Sequence, residues 1–312
     1  MTAIARPRID IQSVFQLTEL ADYIIPYTIR AICDLGVADH LTDGPRTVTD
    51  LAGLVGAHAP SLHRALRALA SKGIFTETEP GVFELTPLAQ PLRADHPASL
   101  RDAYPLLAAD IDAWALFDHS IRTGEAAFDK AHGQDYATYM AENPVDRARF
   151  DAAKQAATRL ELRTVLPGYD WAALRTLADV GADNDTFVTG LTEKFPELHG
   201  SVTDPADIPS ELDGYLLRRV LYSQDDEHVL RLFGALRAAM RPDSRLLIIE
   251  PVIQPGNDFD VAKLYDLMLL CLIGAGTRSR DRIEHLLAAA GLRLVNVLPT
   301  MLFPIIEARV AD

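Results

Sequence analysis

Residues 177–187, LADVGADNDTF, decide how the C-terminal half of this chain folds. Thr176 to Val180 reads as a short apolar strand, Gly181 turns the chain, and an amphipathic helix follows. Strand, glycine, helix is how nucleotide-binding loops begin, and further glycines there let the backbone close on a ligand. Here the chain continues Ala182, Asp183, Asn184, Asp185. Carboxylates stand where close approach is needed.

Downstream, short apolar runs alternate with helical periods. The strands are Leu177–Val180, Ser201–Thr203, Tyr215–Leu221, Arg245–Glu250 and Arg293–Leu298, and the last of them forms a hairpin with Phe303–Val310. The helices include Asp226–Ala239, Lys263–Ile273 and Arg280–Ala290. This alternation predicts an α/β fold with a parallel sheet. Upstream, residues 99–165 read as helical, broken at Thr123-Gly124 and Asn143-Pro144. Before them come two short helices, Thr47 to Leu54 and Ala59 to Lys72, then a hairpin about Pro80-Gly81: a winged-helix arrangement. Residues 11–40 carry a helical pattern more apolar than a monomer's surface helix needs, so part of it is expected to pack against a partner.

The net charge of -14 over 312 residues disfavours nucleic acid and anionic membrane as partners, which makes the winged helix a dimerisation or lid module. Cys33 and Cys271 stand far apart in apolar surroundings and read as buried free thiols of a reducing cytoplasm. No metal site is expected, since there is no His-x-x-x-His pair to join the two cysteines. The N-terminus lacks the pattern of a signal peptide, and no apolar run suffices to span a membrane. The expectation is a cytoplasmic protein.

LHRALRALASKGIFTE, FELTPLAQPLR, SIRTGEAAF, YDWAALRTLADVG, YLLRRVLYSQDDEHVLRLFGALRAAM, RLLIIEPV and LAAAGLRL follow one another in order. Together they resemble the small-molecule O-methyltransferases of bacterial natural-product pathways over nearly the whole chain. The resemblance implies a winged-helix dimerisation domain at 1–98, linker and substrate-pocket helices at 99–168, and a Rossmann-like methyltransferase domain at 169–312. It also implies a homodimer and S-adenosylmethionine as cofactor.

Three places depart from the family pattern. The loop Asp-Val-Gly-Gly-Gly-x-Gly keeps Asp179, Val180 and Gly181 but has Ala182, Asp183 and Asp185 for the later glycines. Two like charges about 4 Å apart repel by roughly 4 kcal/mol at an effective dielectric near 20, so Asp183 and Asp185 are set against the cofactor's carboxylate. After the strand that ends at Asp204, only 205–213 stand where the family has a helix and a further strand, a pair needing on the order of 17 residues. One edge strand–helix unit is therefore absent. Finally, Tyr222-Ser223-Gln224 replaces His-Asp-Trp, whose histidine is the family's general base. Ser279 replaces one flanking acid, and Glu250 keeps the other.

Taken together, these losses predict no cofactor and a cofactor-independent tailoring enzyme acting on a polyketide-like small molecule: a cyclase, isomerase, dehydratase or decarboxylase. A non-catalytic metabolite-binding partner comes second. An O-methyltransferase with an atypical cofactor site comes third. The catalytic candidates are Lys154, where the family usually has a cavity methionine, Tyr222, His119 and Glu250. Tyr104, Trp114, Phe150, Asp266 and Met268 are candidate substrate contacts.

Overall fold

The computed structural model describes residues 10–103, 107–182 and 184–311. Tyr104 and Asp183 lie outside them. The chain divides into two compact units, Met1–Leu106 and Leu107–Asp312.

In the first unit α1 (Ile11–Leu20) and α2 (Ile24–Leu35) are followed by β1 (Arg46–Thr47), α3 (Val48–Val55), α4 (Ala59–Ala70), β2 (Phe75–Glu79) and β3 (Val82–Leu85). The strands pair in the order β1-β3-β2. Thr47 starts α3 by accepting the Asp50 N–H at 3.1 Å, and its hydroxyl donates back to the Asp50 carboxylate at 2.7 Å. The core gathers Ile32, Leu51, Leu66, Leu69, Phe75 and Phe83. α1 buries nothing: Phe15 is 71% and Leu20 76% exposed.

The second unit opens with five helices, α5 (Ala108–Trp114), α6 (Phe117–Thr123), α7 (Ala127–His132), α8 (Tyr136–Glu142) and the long α9 (Pro144–Val165). Then come β4 (Thr176–Val180), α10 (Thr186–Lys194), β5 (His199–Thr203), β6 (Gly214–Arg218), α11 (Asp226–Ala239), β7 (Arg245–Ile249) and the short β8 (Val252–Ile253). α12 (Val261–Ile273), a two-residue β9 (Arg278–Ser279), α13 (Arg280–Ala289), β10 (Leu292–Leu298) and β11 (Ile305–Val310) complete it. Six strands form one sheet in the order β10-β11-β7-β6-β4-β5. β4, β5, β6 and β7 run parallel, and β11 lies antiparallel to both β7 and β10. This is the expected Rossmann-like sheet.

Side chains alternate across it with period two. Ala178, Tyr215, Leu217 and Ile248 face α11 and α13, meeting Phe233 and Leu286. Leu177, Leu216 and Leu247 face the other way, toward Val165, Phe187 and Phe303. The ten residues from Asp204 to Asp213 contain neither helix nor strand, so β5 is left at the sheet's edge. That connection instead lays Ile208 and Leu212 on the α11 side of the core. It is tied at its end by Asp213, whose carboxylate accepts the N–H groups of Arg175 (2.8 Å) and Thr176 (3.1 Å) and pairs with Arg241.

Candidate active site

At the carboxyl ends of β4, β5 and β6 the sheet opens into a cleft of about 560 Å³. The chain order reverses between β6 and β4, which is where open α/β sheets collect ligands. Lys154 and Thr158 on α9 form one wall, four residues apart on one helix face. Gly181, Ala182 and Asn184 come from the loop after β4, Val202 to Pro205 from the end of β5, and Arg218 to Gln224 from the end of β6. Gly181 has φ +79°, and a Cβ there would meet the Val220 side chain at 3.3 Å. The backbone thus passes close to Val220 at a place only glycine fills without strain.

Beneath this floor lies a buried charged layer. Period-two alternation puts Asp179 on the face of Leu177 and Arg218 on that of Leu216, so both point toward α9. Arg218 donates to Glu161 at 3.1 Å and to Thr158 at 3.2 Å. Its Nε stands 3.8 Å from Asp179, an ion pair without a hydrogen bond, and neither Asp179 oxygen has a hydrogen-bond partner among the described residues. Burial pushes the Asp179 carboxyl up to about 7, with Arg218 working against the shift. Arg219 donates to Thr158 at 2.8 Å and lies 3.7 Å from Glu161. Burial disfavours its charge, but Glu161 and Tyr265 outweigh burial and the guanidinium's pKa rises.

Of the four catalytic candidates, two line the cleft. The Lys154 ammonium sits 5.5 Å over the Phe150 ring, and burial, then Arg219, pushes its pKa down to about 8. Tyr222, in a 3₁₀ turn, packs edge-on to Tyr265 at 5.9 Å. Burial and then Tyr265 raise the pKa of its hydroxyl.

Glu250 is fully buried at the end of β7. Its Oε1 accepts the N–H groups of Val220 (2.5 Å) and Leu221 (2.7 Å), so it holds the turn that carries Tyr222 and does not line the cleft. Burial raises its pKa to about 8. His119 lies away from the cleft on α6, 3.4 Å from Glu125. Trp114 is 42% exposed and stacks at a tilt on Phe117. Phe150 and Met268 pack against the helical core, and Asp266 pins the Thr277 N–H and hydroxyl at 2.6 and 2.9 Å. Sequence reasoning missed Thr158, Glu161, Arg218 and Arg219. The one available signal was Arg218-Arg219 at the end of an otherwise apolar strand.

An α/β unit of this strand order, with a glycine turn and a cleft at its switch point, defines a nucleotide-type ligand-binding fold. Residues 17–95 match the O-methyltransferase dimerisation domain, and residues 114–210 and 205–293 match the O-methyltransferase domain, the two segments meeting in the short connection before β6. This chain belongs to the O-methyltransferase family. It is 32% identical to the phenazine O-methyltransferase PhzM of Lysobacter antibioticus, covering 94% of this chain and 95% of that one. The structure of CalO1, a methyltransferase of calicheamicin biosynthesis in its S-adenosylhomocysteine-bound form, superposes with TM-score 0.86 at 27% identity over 98% of this chain and 100% of the other. The O-methyltransferase NcsB1, in complex with S-adenosylmethionine and 2-hydroxy-5-methyl naphthoic acid, matches with TM-score 0.71 at 29% identity over 94% and 98%.

These findings overturn two expectations. The relatives named above are methyltransferases, not cofactor-free cyclases, isomerases or other lyases, and solved neighbours hold S-adenosylmethionine or S-adenosylhomocysteine where no cofactor was expected. They place the chain among enzymes. The physical reason concerns the β4 loop. Of the two carboxylates expected to oppose the cofactor, Asp185 is exposed at the start of α10 and does not line the cleft, and Asp183 lies outside the described residues. No helix among the described residues is long and apolar enough to cross a membrane.

Proposed function

We propose that the chain is an S-adenosylmethionine-dependent methyltransferase with an atypical site, acting on a hydroxyl of a small aromatic molecule. The observation that carries this reading is the cleft at the β4/β6 switch point, with Gly181 beside its mouth and Asp204 at the end of β5. Its volume suits a nucleoside-sized ligand. Gly181 offers close backbone approach, and Asp204 offers a carboxylate to a ribose diol. The relatives' names and their bound naphthoic acid support an aromatic acceptor.

Bound there, the cofactor supplies a methyl group on a sulfonium, open to displacement by an oxygen lone pair. The chain's own part is to position the acceptor and take its proton. Lys154, with a pKa near 8, holds a fraction of neutral amine at neutral pH and accepts the proton of the acceptor hydroxyl. Tyr222, its pKa raised, stays protonated and donates a hydrogen bond that orients the acceptor. The histidine of the family is thereby replaced by two groups with divided roles.

The test is calorimetric titration of the purified chain with S-adenosylmethionine and S-adenosylhomocysteine, followed by transfer of labelled methyl to phenolic acceptors. Micromolar affinity and transfer are expected, and no heat of binding at millimolar cofactor would sink the reading. We infer as well a homodimer formed through the first unit, supported by the dimerisation-domain match and by the exposed apolar residues of α1.

A further inference from the structure

We propose that Arg219, oriented by Thr158, forms a subsite that receives the carboxylate of a small-molecule ligand in the β4/β6 cleft. The inference shares that cleft with the methyltransferase reading and does not require methyl transfer.

The backbone supplies the first observation. Strict alternation at the end of β6 would send Arg218 and Arg219 to opposite faces of the sheet. Instead both guanidiniums hydrogen-bond the Thr158 hydroxyl oxygen, at 3.2 and 2.8 Å. Arg219 achieves this with φ +57°, a left-handed conformation that a non-glycine residue adopts at a cost of about 1 kcal/mol or more. Strain of that kind persists where surrounding structure enforces it, and here it swings a second cation onto the wall of one cleft.

The second observation is the charge balance. Glu161 is shared by Arg218 and Arg219, at 3.1 and 3.7 Å. Asp179 makes no hydrogen bond among the described residues and stands within ion-pair distance of Arg218, at 3.8 Å. Lys154 stands on the same wall, and Arg219 is the neighbouring charge that most depresses its protonation. In a chain of net charge -14, three cationic side chains line one cleft and, among the described residues, a single carboxylate, Asp204, lines it with them.

The third is donor capacity. A guanidinium has five N–H donors in a planar fork suited to a carboxylate. Arg219 donates from Nη2 to Thr158 and also hydrogen-bonds Tyr265, which leaves further donors of the fork on a group that forms part of the cleft wall. A ligand carboxylate there would meet fixed donors already desolvated by burial, which makes each hydrogen bond stronger than in water. Two sources share this chemistry: the amino-acid end of the cofactor, or an acidic aromatic substrate.

The experiment titrates four probes into the full chain by calorimetry. S-adenosylhomocysteine carries the amino-acid carboxylate, and 5′-methylthioadenosine lacks it. 1,4-Dihydroxy-2-naphthoate carries an aromatic carboxylate, and 1,4-dihydroxynaphthalene lacks it. Each is measured on wild type, Arg219→Gln and Thr158→Val. Glu161 keeps Arg218 in the first variant, and the second retains both charges, so one of the pair reports even if the other melts early. The expected result is a roughly tenfold to hundredfold loss of affinity for one carboxylate-bearing probe in Arg219→Gln, with its neutral counterpart unchanged. A smaller loss of the same selectivity is expected in Thr158→Val. Loss confined to S-adenosylhomocysteine assigns the carboxylate to the cofactor, and loss confined to the naphthoate assigns it to the substrate. If no nucleoside binds wild type while the naphthoate shows the selective loss, the methyltransferase reading fails and the subsite stands. Losses under twofold, equal losses for acid and neutral probes, or no binding of any probe to wild type overturn the proposal.

Discussion

The two faces of the central sheet are built to different rules. Toward α11 and α13 the strands present Ala178, Val180, Tyr215, Leu217, Leu246 and Ile248, closed over by Phe233 and Leu286. The Tyr215 hydroxyl reaches the edge of that layer, within hydrogen-bond distance of the Pro209 and Ala239 carbonyls. Toward α9 the same strands bury Asp179 and Arg218 against Glu161 and Thr158. Apolar burial stabilises at about 25 cal/mol per Å², whereas burying charges costs several kcal/mol per ion unless they are paired. The α9 face gives up stability that the α11 face supplies, and it does so directly under the cleft. A buried carboxylate such as Asp179, ion-paired but without a hydrogen bond among the described residues, is better understood as part of a binding site than as part of a core.

The comparison is broken most directly by cutting each face once. Glu161→Ala leaves two guanidiniums facing each other without their shared carboxylate and is expected to cost about 3–5 kcal/mol in urea unfolding. Phe233→Ala on the other face should cost a similar amount, about 3–5 kcal/mol, through the cavity it leaves. The two differ in pH dependence: the cost of Glu161→Ala should vary between pH 5 and 9 and that of Phe233→Ala should not. A Glu161→Ala cost below about 1 kcal/mol would show that the charged layer is not energetically coupled.

A kinetic cut comes next. Lys154→Met should lower methyl-transfer turnover by about a hundredfold, within the range for a general base, while leaving the thermal midpoint unchanged or raised. In wild type the rate should climb with pH to a plateau set by an apparent pKa near 8, because the amine accepts a proton only when neutral. A variant that keeps the wild-type rate and pH profile removes Lys154 from the chemistry.

A gentler cut uses titration alone. Asp179 and Glu250 have folded pKa values raised to about 7 and about 8, above their ordinary 3.8 and 4.5. The folded state therefore binds more protons than the unfolded one between those limits. Stability contributed by the neutral carboxyls is full below about pH 4 and is lost as pH rises through 7 to 8. The urea midpoint should fall across that window, and Asp179→Asn should flatten the fall. An unchanged slope in that variant would contradict the assignment to Asp179.

The smallest effect on folding is expected at the far end of the chain. Leu17→Glu on the exposed face of α1 should lower the mass seen by light scattering at micromolar concentration and leave the melting temperature within a few degrees. Dimeric mass in that variant would move the interface elsewhere.

The fold was legible because burial on both faces writes itself into the strands. TLADV, GYLLR and RLLII are runs no surface element would carry, and the ten residues before β6 were too few for another helix and strand. The site was half legible. Lys154 and Tyr222 stood out as departures from a family pattern and do line the cleft. Thr158 and Glu161 did not stand out, because α9 carries charged and polar residues around its whole circumference and offers no apolar stripe against which a buried one is conspicuous. Trp114 and His119 do not line this cleft, because sequence spacing does not say which face of a short helix meets it. The functional expectation failed for a related reason. It treated Asp185 as a charge inside the cleft, whereas the turn into α10 exposes it.

The short connection before β6 also bears on how the chain reaches its native state. Loop closure costs entropy that grows with the logarithm of loop length, about 0.6 kcal/mol for each doubling. Joining β5 to β6 through ten residues rather than a helix and a strand brings Leu177 into register with Gly214 at a separation of 37 positions. Parallel pairing is ordinarily slow because distant segments must meet before any contact rewards them. Here β4 and β5, paired at a separation of 23 positions (Thr176 with His199), form the most local pair of the parallel sheet and are expected to order before β6 joins them. Pulsed hydrogen exchange during refolding should protect the amides shared by β4 and β5 before those shared by β4 and β6; the reverse order would refute this.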